Sequence, residues 1–197
     1  MSVIIDLKTE VIQSRDLRLL MAMLDVLVGQ RCLKIEVSYG EELMVHLGAP
    51  VAYSHPKLAD EAKGSWILGT RASRWSLFLS QPPLLIASNG RLVTEVGAGS
   101  PRETPPSEVE KKAEPLIGCT VAMVKPEWRL PTASLGGVAL VLEFGDGSRL
   151  TVNPDDEPDD RTALADWELF TPYDMYLVCG PGAVWSYLRS DVVASNH

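Results

Sequence analysis

Apolar residues recur at intervals of three and four positions along residues 14–27, which is the spacing of one helix face. The positions on that face are Leu17, Leu20, Met21, Leu24 and Leu27. Ser14 precedes them as a residue type that caps helices well, and Gly29 follows as a residue type at which helices commonly end. The pattern predicts an amphipathic helix that packs one face against a sheet.

After Gly29 the apolar positions alternate with polar ones, which is typical of strands with one buried face. Short runs of this kind continue to residue 96 and resume between residues 116 and 188. Asn89 and Gly90 form the strongest hairpin signal, because both accept the positive φ of a type I′ turn. The chain is therefore expected to be rich in antiparallel strands.

Residues 97–115 differ in composition from the regions on either side. They contain two glycines, four prolines and no aromatic residue, which is the composition of a linker with little to bury. Inside the segment Ser107 and Glu110 have the spacing of a capping box, and Pro115 closes the stretch, so a short helix is expected there. We therefore expect a first unit at 1–96, this linker at 97–115 and a second unit at 116–197.

The two units share short blocks of sequence in the same order, although the spacing between blocks differs. Residues 27–29 (Leu-Val-Gly) match residues 116–118 (Leu-Ile-Gly), and each block follows an expected helix. The matched tryptophans are Trp66 with Trp167 and Trp75 with Trp185. These matches predict an α+β fold, mainly antiparallel β, made of two similar repeats that are each led by a helix. The paired tryptophans are expected to be buried core residues.

The charge of the chain limits the classes of partner. Its formal net charge is −8 and its sequence pI about 4.9. A surface of that sign repels phosphate backbones, so no nucleic-acid binding is expected, and a basic protein is the kind of partner that it favours. The composition, with 46% hydrophobic and 22% charged residues, is that of an ordinary globular protein.

The expected location is the cytoplasm. The first ten residues lack the basic-then-apolar order of a signal peptide, and the longest apolar stretch is interrupted by Arg18 and Asp25. No membrane association is therefore expected. The three cysteines, Cys32, Cys119 and Cys179, are too scattered for a disulfide framework and are expected to be reduced.

The densest cluster of charge is an acidic loop near the C-terminus. Its members are Asp155, Asp156, Glu157, Asp159 and Asp160. A calcium loop is disfavoured, because Asp160 stands where such a loop needs glycine and Pro158 stiffens the backbone. The acidic loop, as we call these five residues, is expected to face water and to attract a basic protein partner electrostatically.

Candidates for chemistry are few. The imidazoles are His46, His55 and His197, and there is no Gly-x-Ser-x-Gly motif. Cys32 with His46 or His55 would form a thiol–imidazole pair only if the fold brought them together. No Cys or His pair has the spacing of a zinc site, and residues 97–101 lack the lysine of a phosphate loop, so neither a metal nor a cofactor is expected.

Two functions are compatible with these features. The first is a non-catalytic protein-interaction protein, such as an immunity-type protein that neutralises a basic toxin or enzyme. The alternative is a small-molecule-binding protein or hydrolase whose site lies between the two repeats, where pockets commonly form. A flat acidic face would favour the first, and a cleft with converging polar groups would favour the second.

The acidic loop leads to a prediction about association kinetics. Changing Asp155, Asp156, Asp159 and Asp160 together to asparagine should leave folding nearly intact and slow association with a basic partner at low salt, because steering depends on the loop's charge. Stopped-flow association with a basic partner recovered by affinity pull-down measures this. Unchanged association rates at low salt would exclude the acidic loop as the docking site.

Overall fold

The computed structural model describes most of the chain between residues 12 and 189. The described residues are 12–38, 41–53, 58, 60–71, 73–88, 92–95, 102–129, 137–154, 165–180, 182 and 184–189. They form two antiparallel sheets of seven strands each and two short helices. The predicted class, α+β with mainly antiparallel β structure, is confirmed.

Both halves of the chain begin with a short strand and a helix that continues into one 3-10 turn. The elements of the first half are β1 (Ile12–Ser14), α1 (Leu17–Leu24), the 3-10 turn Asp25–Leu27, β2 (Cys32–Val37), β3 (Leu43–Ala52), β4 (Ala62–Gly69), β5 (Arg74–Ser80), β6 (Pro83–Ser88) and β7 (Leu92–Glu95). Those of the second half are β8 (Arg102–Glu103), α2 (Pro106–Ala113), the 3-10 turn Glu114–Leu116, β9 (Val121–Arg129), β10 (Gly137–Phe144), β11 (Arg149–Asn153), β12 (Trp167–Phe170), β13 (Met175–Cys179) and β14 (Trp185–Arg189).

Helix α1 begins later than its apolar pattern suggested. Ser14 belongs to β1, and the capping residue is Asp16, whose carboxylate accepts a hydrogen bond from the Arg18 N–H at 2.9 Å. Leu20 and Leu24 are fully buried, as the helical face predicted, whereas Met21 is 39% exposed. The prediction was therefore right for Leu20 and Leu24 and wrong for Met21 and for the first turn of the helix.

Helix α2 lies where a short helix was expected, but the predicted capping box does not form. Its N-cap is Pro105, which offers no side-chain hydrogen bond, and the Glu110 carboxylate instead accepts a hydrogen bond from the Val37 N–H of β2 at 2.8 Å. Val109 and Ala113 are fully buried. Residues 102–116 therefore contribute to the core, contrary to the expectation that this segment buries little. Residues 97–101 lie outside the described residues, and the division into two units stays a prediction.

Each sheet combines strands of both halves. The first sheet has the order β1-β14-β13-β12-β4-β3-β2, and the second has the order β8-β7-β6-β5-β11-β10-β9. At their centres β12 pairs with β4, and β11 pairs with β5. Both sheets contribute buried side chains to one hydrophobic core. Neither half therefore completes a sheet by itself.

Under the predicted duplication, the strand order changes how the tryptophans correspond. Trp75 and Trp167 both lie at the start of the fourth strand after the helix of their half. The Trp75 indole, on β5 of the second sheet, donates a hydrogen bond to the Glu41 carbonyl, just before β3 of the first sheet, at 2.8 Å. The Trp167 indole, on β12 of the first sheet, donates to the Val138 carbonyl on β10 of the second sheet at 2.7 Å. By element order Trp75 thus corresponds to Trp167, not Trp66 to Trp167. The duplication itself stays a prediction.

The helices are exchanged between the halves. Helix α1 packs against β9, and α2 packs against β2. Because β2 and β9 are the edge strands of their sheets, each helix packs against an edge strand that belongs to the other half. No helix among the described residues has both the length and the apolar character needed to cross a membrane.

The burial expected of the four matched tryptophans is confirmed. Trp167 and Trp185 are fully buried, and Trp66 and Trp75 are 6% and 2% exposed. The fifth tryptophan, Trp128, is 44% exposed. The matched tryptophans are therefore core residues and do not line a groove for ligand stacking.

Replacing Trp167 with phenylalanine tests the contribution of the indole to the core. We expect Trp167→Phe to lower the free energy of unfolding by about 2–4 kcal/mol, because it removes buried volume and leaves the Val138 carbonyl without its donor. Trp128→Phe is the matched control and should change stability by less than about 0.5 kcal/mol. Urea denaturation measures both, and equal losses in the two variants would contradict the assignment.

Candidate functional site

The segments that lead into β2 and β9 meet in a short antiparallel junction. Residues 30–32 run against residues 119–121, with Arg31 and Thr120 directly opposite each other. The Cys32 N–H donates to the Cys119 carbonyl at 2.8 Å, and the Val121 N–H donates to the Gln30 carbonyl at 2.9 Å. We call this pairing, together with the glycine turns that flank it, the junction.

Two glycine turns complete the junction. Gly29 has a φ of 84° and donates its N–H to the Val121 carbonyl at 2.8 Å, and Gly118 has a φ of 91° and donates to the Cys32 carbonyl at 2.7 Å. Positive φ values of this size favour glycine. The residues before the glycines, Val28 and Ile117, are 46% and 48% exposed. The two tripeptides matched in sequence therefore have the same conformation, hydrogen bonding and exposure.

A cleft of about 530 Å³ opens at the junction. The first half contributes residues 29–33 and 48–50 to its lining, and the second contributes Ile117 and Gly118. Its volume lies within the range of small-molecule sites. The cleft thus lies between the two halves, where the alternative sequence hypothesis expected a site.

Arg31 is the cation of this cleft. Its side chain is exposed, and its Nε lies 3.4 Å from the Gly118 carbonyl, which is a long hydrogen bond. Among the described residues no carboxylate forms an ion pair with Arg31, although the protein is acidic overall. The guanidinium therefore keeps donors that face solvent and are able to bind a planar anion in two-point contact.

The backbone amides of the cleft wall are already occupied. The Gly48 N–H donates to the Arg31 carbonyl at 2.8 Å, and the Ala49 N–H donates to Ser65 Oγ at 3.2 Å. Gly48 has a φ of 86°, and a Cβ at this position would collide with Ser65 Oγ and approach Trp66 Cδ1 at 3.1 Å. Arg31 is accordingly the charged donor that the cleft presents.

The acidic loop, the partner site predicted from sequence, lies outside the described residues. Its five members, Asp155, Asp156, Glu157, Asp159 and Asp160, therefore stay a prediction. The residues on either side of the gap are fixed in the fold. Pro154 and Asp166 are buried, and the Asp166 N–H donates to the Cys179 carbonyl at 2.7 Å.

His46 and Cys32 do not form the thiol–imidazole pair considered from sequence. Cys32 pairs with Leu47 and faces the core, whereas His46, one residue away along β3, faces the opposite side of the sheet. The His46 ring is fully buried, its Nδ1 accepts the Gly64 N–H at 3.2 Å, and its Nε2 lies 2.7 Å from Glu36 Oε2. Each ring nitrogen of His46 therefore lies next to a polar group of the fold, as in a histidine with a structural role. His55 and His197 lie outside the described residues.

The thiols are poorly nucleophilic. Burial raises the pKa of Cys32 to about 12, and burial together with Asp146 raises the pKa of Cys119. Burial likewise raises the pKa of Cys179. At neutral pH the thiolate fraction of each is small.

A buried ion pair that sequence reasoning missed lies where β4 meets β12. Glu168 is 2% exposed, and its Oε1 lies 2.6 Å from Arg71 Nε, while Glu42 Oε1 lies 3.6 Å from the same nitrogen. Gly69, opposite Glu168 in the sheet, leaves room for both carboxylates, since a Cβ there would be 3.1 Å from Glu42 Oε1. The three charged residues are far apart in sequence and follow no motif, so no local signal could have identified them.

Burial dominates the ionisation of Glu168. Desolvation raises its pKa to about 7 although Arg71 favours the charged form, and Glu42 adds to the increase. Its second oxygen has no hydrogen-bond partner among the described residues. Arg71 thus has two carboxyl groups of the fold beside it, in contrast to Arg31.

Comparisons with protein-family models, curated proteins and solved structures found no match for this chain. Among the described residues no group of three or more His, Cys, Asp or Glu side chains is arranged to hold a metal ion. We therefore infer function from the geometry and the charges of the site.

The ionisation of Glu168 leads to a prediction of pH dependence. In the unfolded chain this carboxyl loses its proton near pH 4.3, and in the folded protein near 7. Because the folded state retains the proton longer, the contribution of Glu168 to stability falls as the pH rises through this interval and is constant above it. Relative to the wild type, Glu168→Gln should gain about 2–3 kcal/mol of unfolding free energy between pH 4.5 and pH 8.

Urea denaturation of the two proteins across this pH range measures the difference. His46, whose pKa burial lowers, changes stability in the opposite sense in both proteins, and its contribution cancels. Glu103→Gln on exposed β8 is the control for loss of a surface carboxylate. A constant difference between Glu168→Gln and wild type would show that Glu168 is already ionised at pH 4.5.

Proposed function

We propose that this protein binds a small ligand with one carboxylate group and an apolar body in the cleft at the junction. The observation that carries the proposal is Arg31, a guanidinium without a carboxylate partner among the described residues, in a cleft of about 530 Å³ formed by both halves. A planar carboxylate matches the two parallel N–H donors of a guanidinium.

A carboxylate fits this cleft better than a phosphate. Phosphate sites usually combine several backbone N–H donors with a cation, and the N–H groups of Gly29, Gly118 and Gly48 are already donated to carbonyls. A phosphate dianion would also be repelled more strongly by a protein with a net charge of −8. One guanidinium suffices for a single negative charge.

The rim of the cleft supports an apolar body on the ligand. Ile117 and Pro50 line the opening with exposed side chains, and Val28 is exposed on the adjacent turn. Covering such side chains removes apolar surface from water, and the carboxylate remains at Arg31. The affinity expected from one ion pair and a partly open apolar wall lies between about 10 µM and 1 mM.

A binding experiment with octanoate tests the proposal. We expect octanoate to bind in this affinity range with a stoichiometry of one, and 1-octanol to bind at least about 10-fold more weakly because it lacks the charge. Isothermal titration calorimetry gives the affinity. Two-dimensional NMR should show the largest shifts at the amides of Arg31 and Gly118.

Arg31→Gln should weaken octanoate binding at least about 10-fold and leave the fold intact, because the residue is exposed. Arg18→Gln on α1 is the matched control, since its side chain is 94% exposed and the substitution changes the net charge equally. Equal losses of affinity in the two variants would mean that the cleft has no specific carboxylate contact. The proposal would then be wrong.

A basic protein partner is the second candidate function. It is favoured by the net charge of −8 and by five acidic residues within the six positions 155–160. In that case the chain acts as a non-catalytic, immunity-type binding protein in the cytoplasm, and the asparagine variant of the acidic loop tests it. Octanoate binding at Arg31 and partner binding at the acidic loop involve different residues, so the two experiments are independent.

A further inference from the structure

We propose that Cys32 and Cys119 form a redox modification site, at which a mild disulfide oxidant such as glutathione disulfide links the two halves by an intramolecular disulfide. In the structure described here both thiols are free. The inference does not depend on the ligand proposed for the cleft.

The hydrogen bonding of the junction places the two cysteines opposite each other. Arg31 and Thr120 are antiparallel bridge partners, so Cys32 and Cys119 are the next pair along the two segments. The Cys32 N–H donates to the Cys119 carbonyl at 2.8 Å, and the Cys32 carbonyl accepts the Gly118 N–H at 2.7 Å. The Cys119 N–H donates to the Leu116 carbonyl at 3.0 Å, so one direct backbone hydrogen bond joins the two cysteines. Opposite residues of antiparallel segments have Cα atoms about 4.5–5.5 Å apart, within the range that disulfides span.

Both side chains project toward the same part of the core. Directly opposite residues of an antiparallel pair share a face. Cys32 belongs to the buried hydrophobic cluster, and Cys119 is partly buried and packs against that cluster. The two thiols are close enough for the charge on one to oppose ionisation of the other, which contributes to the raised pKa of Cys32. A disulfide therefore requires side-chain rotation and only local adjustment of the backbone.

The different exposure of the cysteines fixes the order of the reaction. Cys119 is half-buried with its Sγ 3.6 Å from the Pro115 carbonyl, whereas Cys32 is 1% exposed. The Cys119 thiolate attacks glutathione disulfide, which forms a mixed disulfide and releases one glutathione. Cys32 gives its proton to solvent and attacks the Cys119 sulfur, which releases the second glutathione. Two protein thiols are thereby oxidised to one disulfide, and one glutathione disulfide is reduced to two thiols.

The cross-link would act on the junction itself. Cys32 and Gly118 line the cleft, so the disulfide would fix the distance between walls that belong to different halves. It would also constrain the unfolded chain over the long segment between the two cysteines. We expect the melting temperature to rise by about 10 °C, as a disulfide closing a long loop does in a protein of this size.

Incubation of the folded protein with glutathione disulfide at pH 8.5, followed by intact-mass analysis and peptide mapping, tests the proposal. We expect a loss of about 2 Da, a cross-linked peptide pair containing Cys32 and Cys119, and the higher melting temperature. Cys179→Ser is the matched control and should react like the wild type, because Cys179 lies on β13 and not at the junction.

Cys119→Ser and Cys119→Ala should both abolish the loss of mass, and Cys32→Ser should stop at the glutathione adduct of Cys119, which is about 305 Da heavier. A wild-type protein that also stops at this adduct, or a cross-link through Cys179, would overturn the proposal. Octanoate binding by reduced wild-type protein is measured separately, so failure of one proposal is distinguishable from failure of the other.

Discussion

The architecture depends on the reciprocal backbone hydrogen bonds of the junction. Gly29 and Gly118 turn the chain after each 3-10 turn, and each glycine N–H is donated to a carbonyl of the opposite half, at Val121 and Cys32. These bonds hold β2 and β9 near each other although they are edges of different sheets. Each helix thereby packs against the first strand after the helix of the other half, which is an edge strand of its sheet.

The same exchange accounts for the core. Because β4 pairs with β12 and β5 with β11, the centre of each sheet is an interface between the halves. The indoles of Trp75 and Trp167 connect the sheets through their hydrogen bonds to Glu41 and Val138. The two halves therefore differ from domains that fold separately and then dock. Each half buries its core side chains against strands that the other half supplies.

Sequence reasoning recovered features that depend on local pattern and missed those that depend on long-range pairing. Alternation identified most strands, because one face of each is buried, and the 3.6-residue period identified α1. The predicted cap of α2 was wrong because the Glu110 carboxylate binds the Val37 N–H of β2, which is far away in sequence. Arg31 was not identified, since a single arginine before a strand has no sequence signal. The acidic loop was identified because its five acidic residues lie close together in the sequence.

Arg31 and Arg71 have different surroundings in the fold, although nothing in the sequence distinguishes these two arginines. Arg71 Nε lies 2.6 Å from Glu168 and 3.6 Å from Glu42, so two carboxyl groups of the fold are beside its charge. Among the described residues, the partner of the Arg31 side chain is the Gly118 carbonyl at 3.4 Å, beside an apolar rim. The protein has a net charge of −8, so distant acidic residues slow the approach of an anion. Once the anion touches Arg31, the nearby guanidinium attracts it more strongly than the distant acidic residues repel it. In the binding mode that we propose, the short-range contact at Arg31 and the apolar surface around it would set ligand selection. The overall charge would disfavour ligands that carry more than one negative charge.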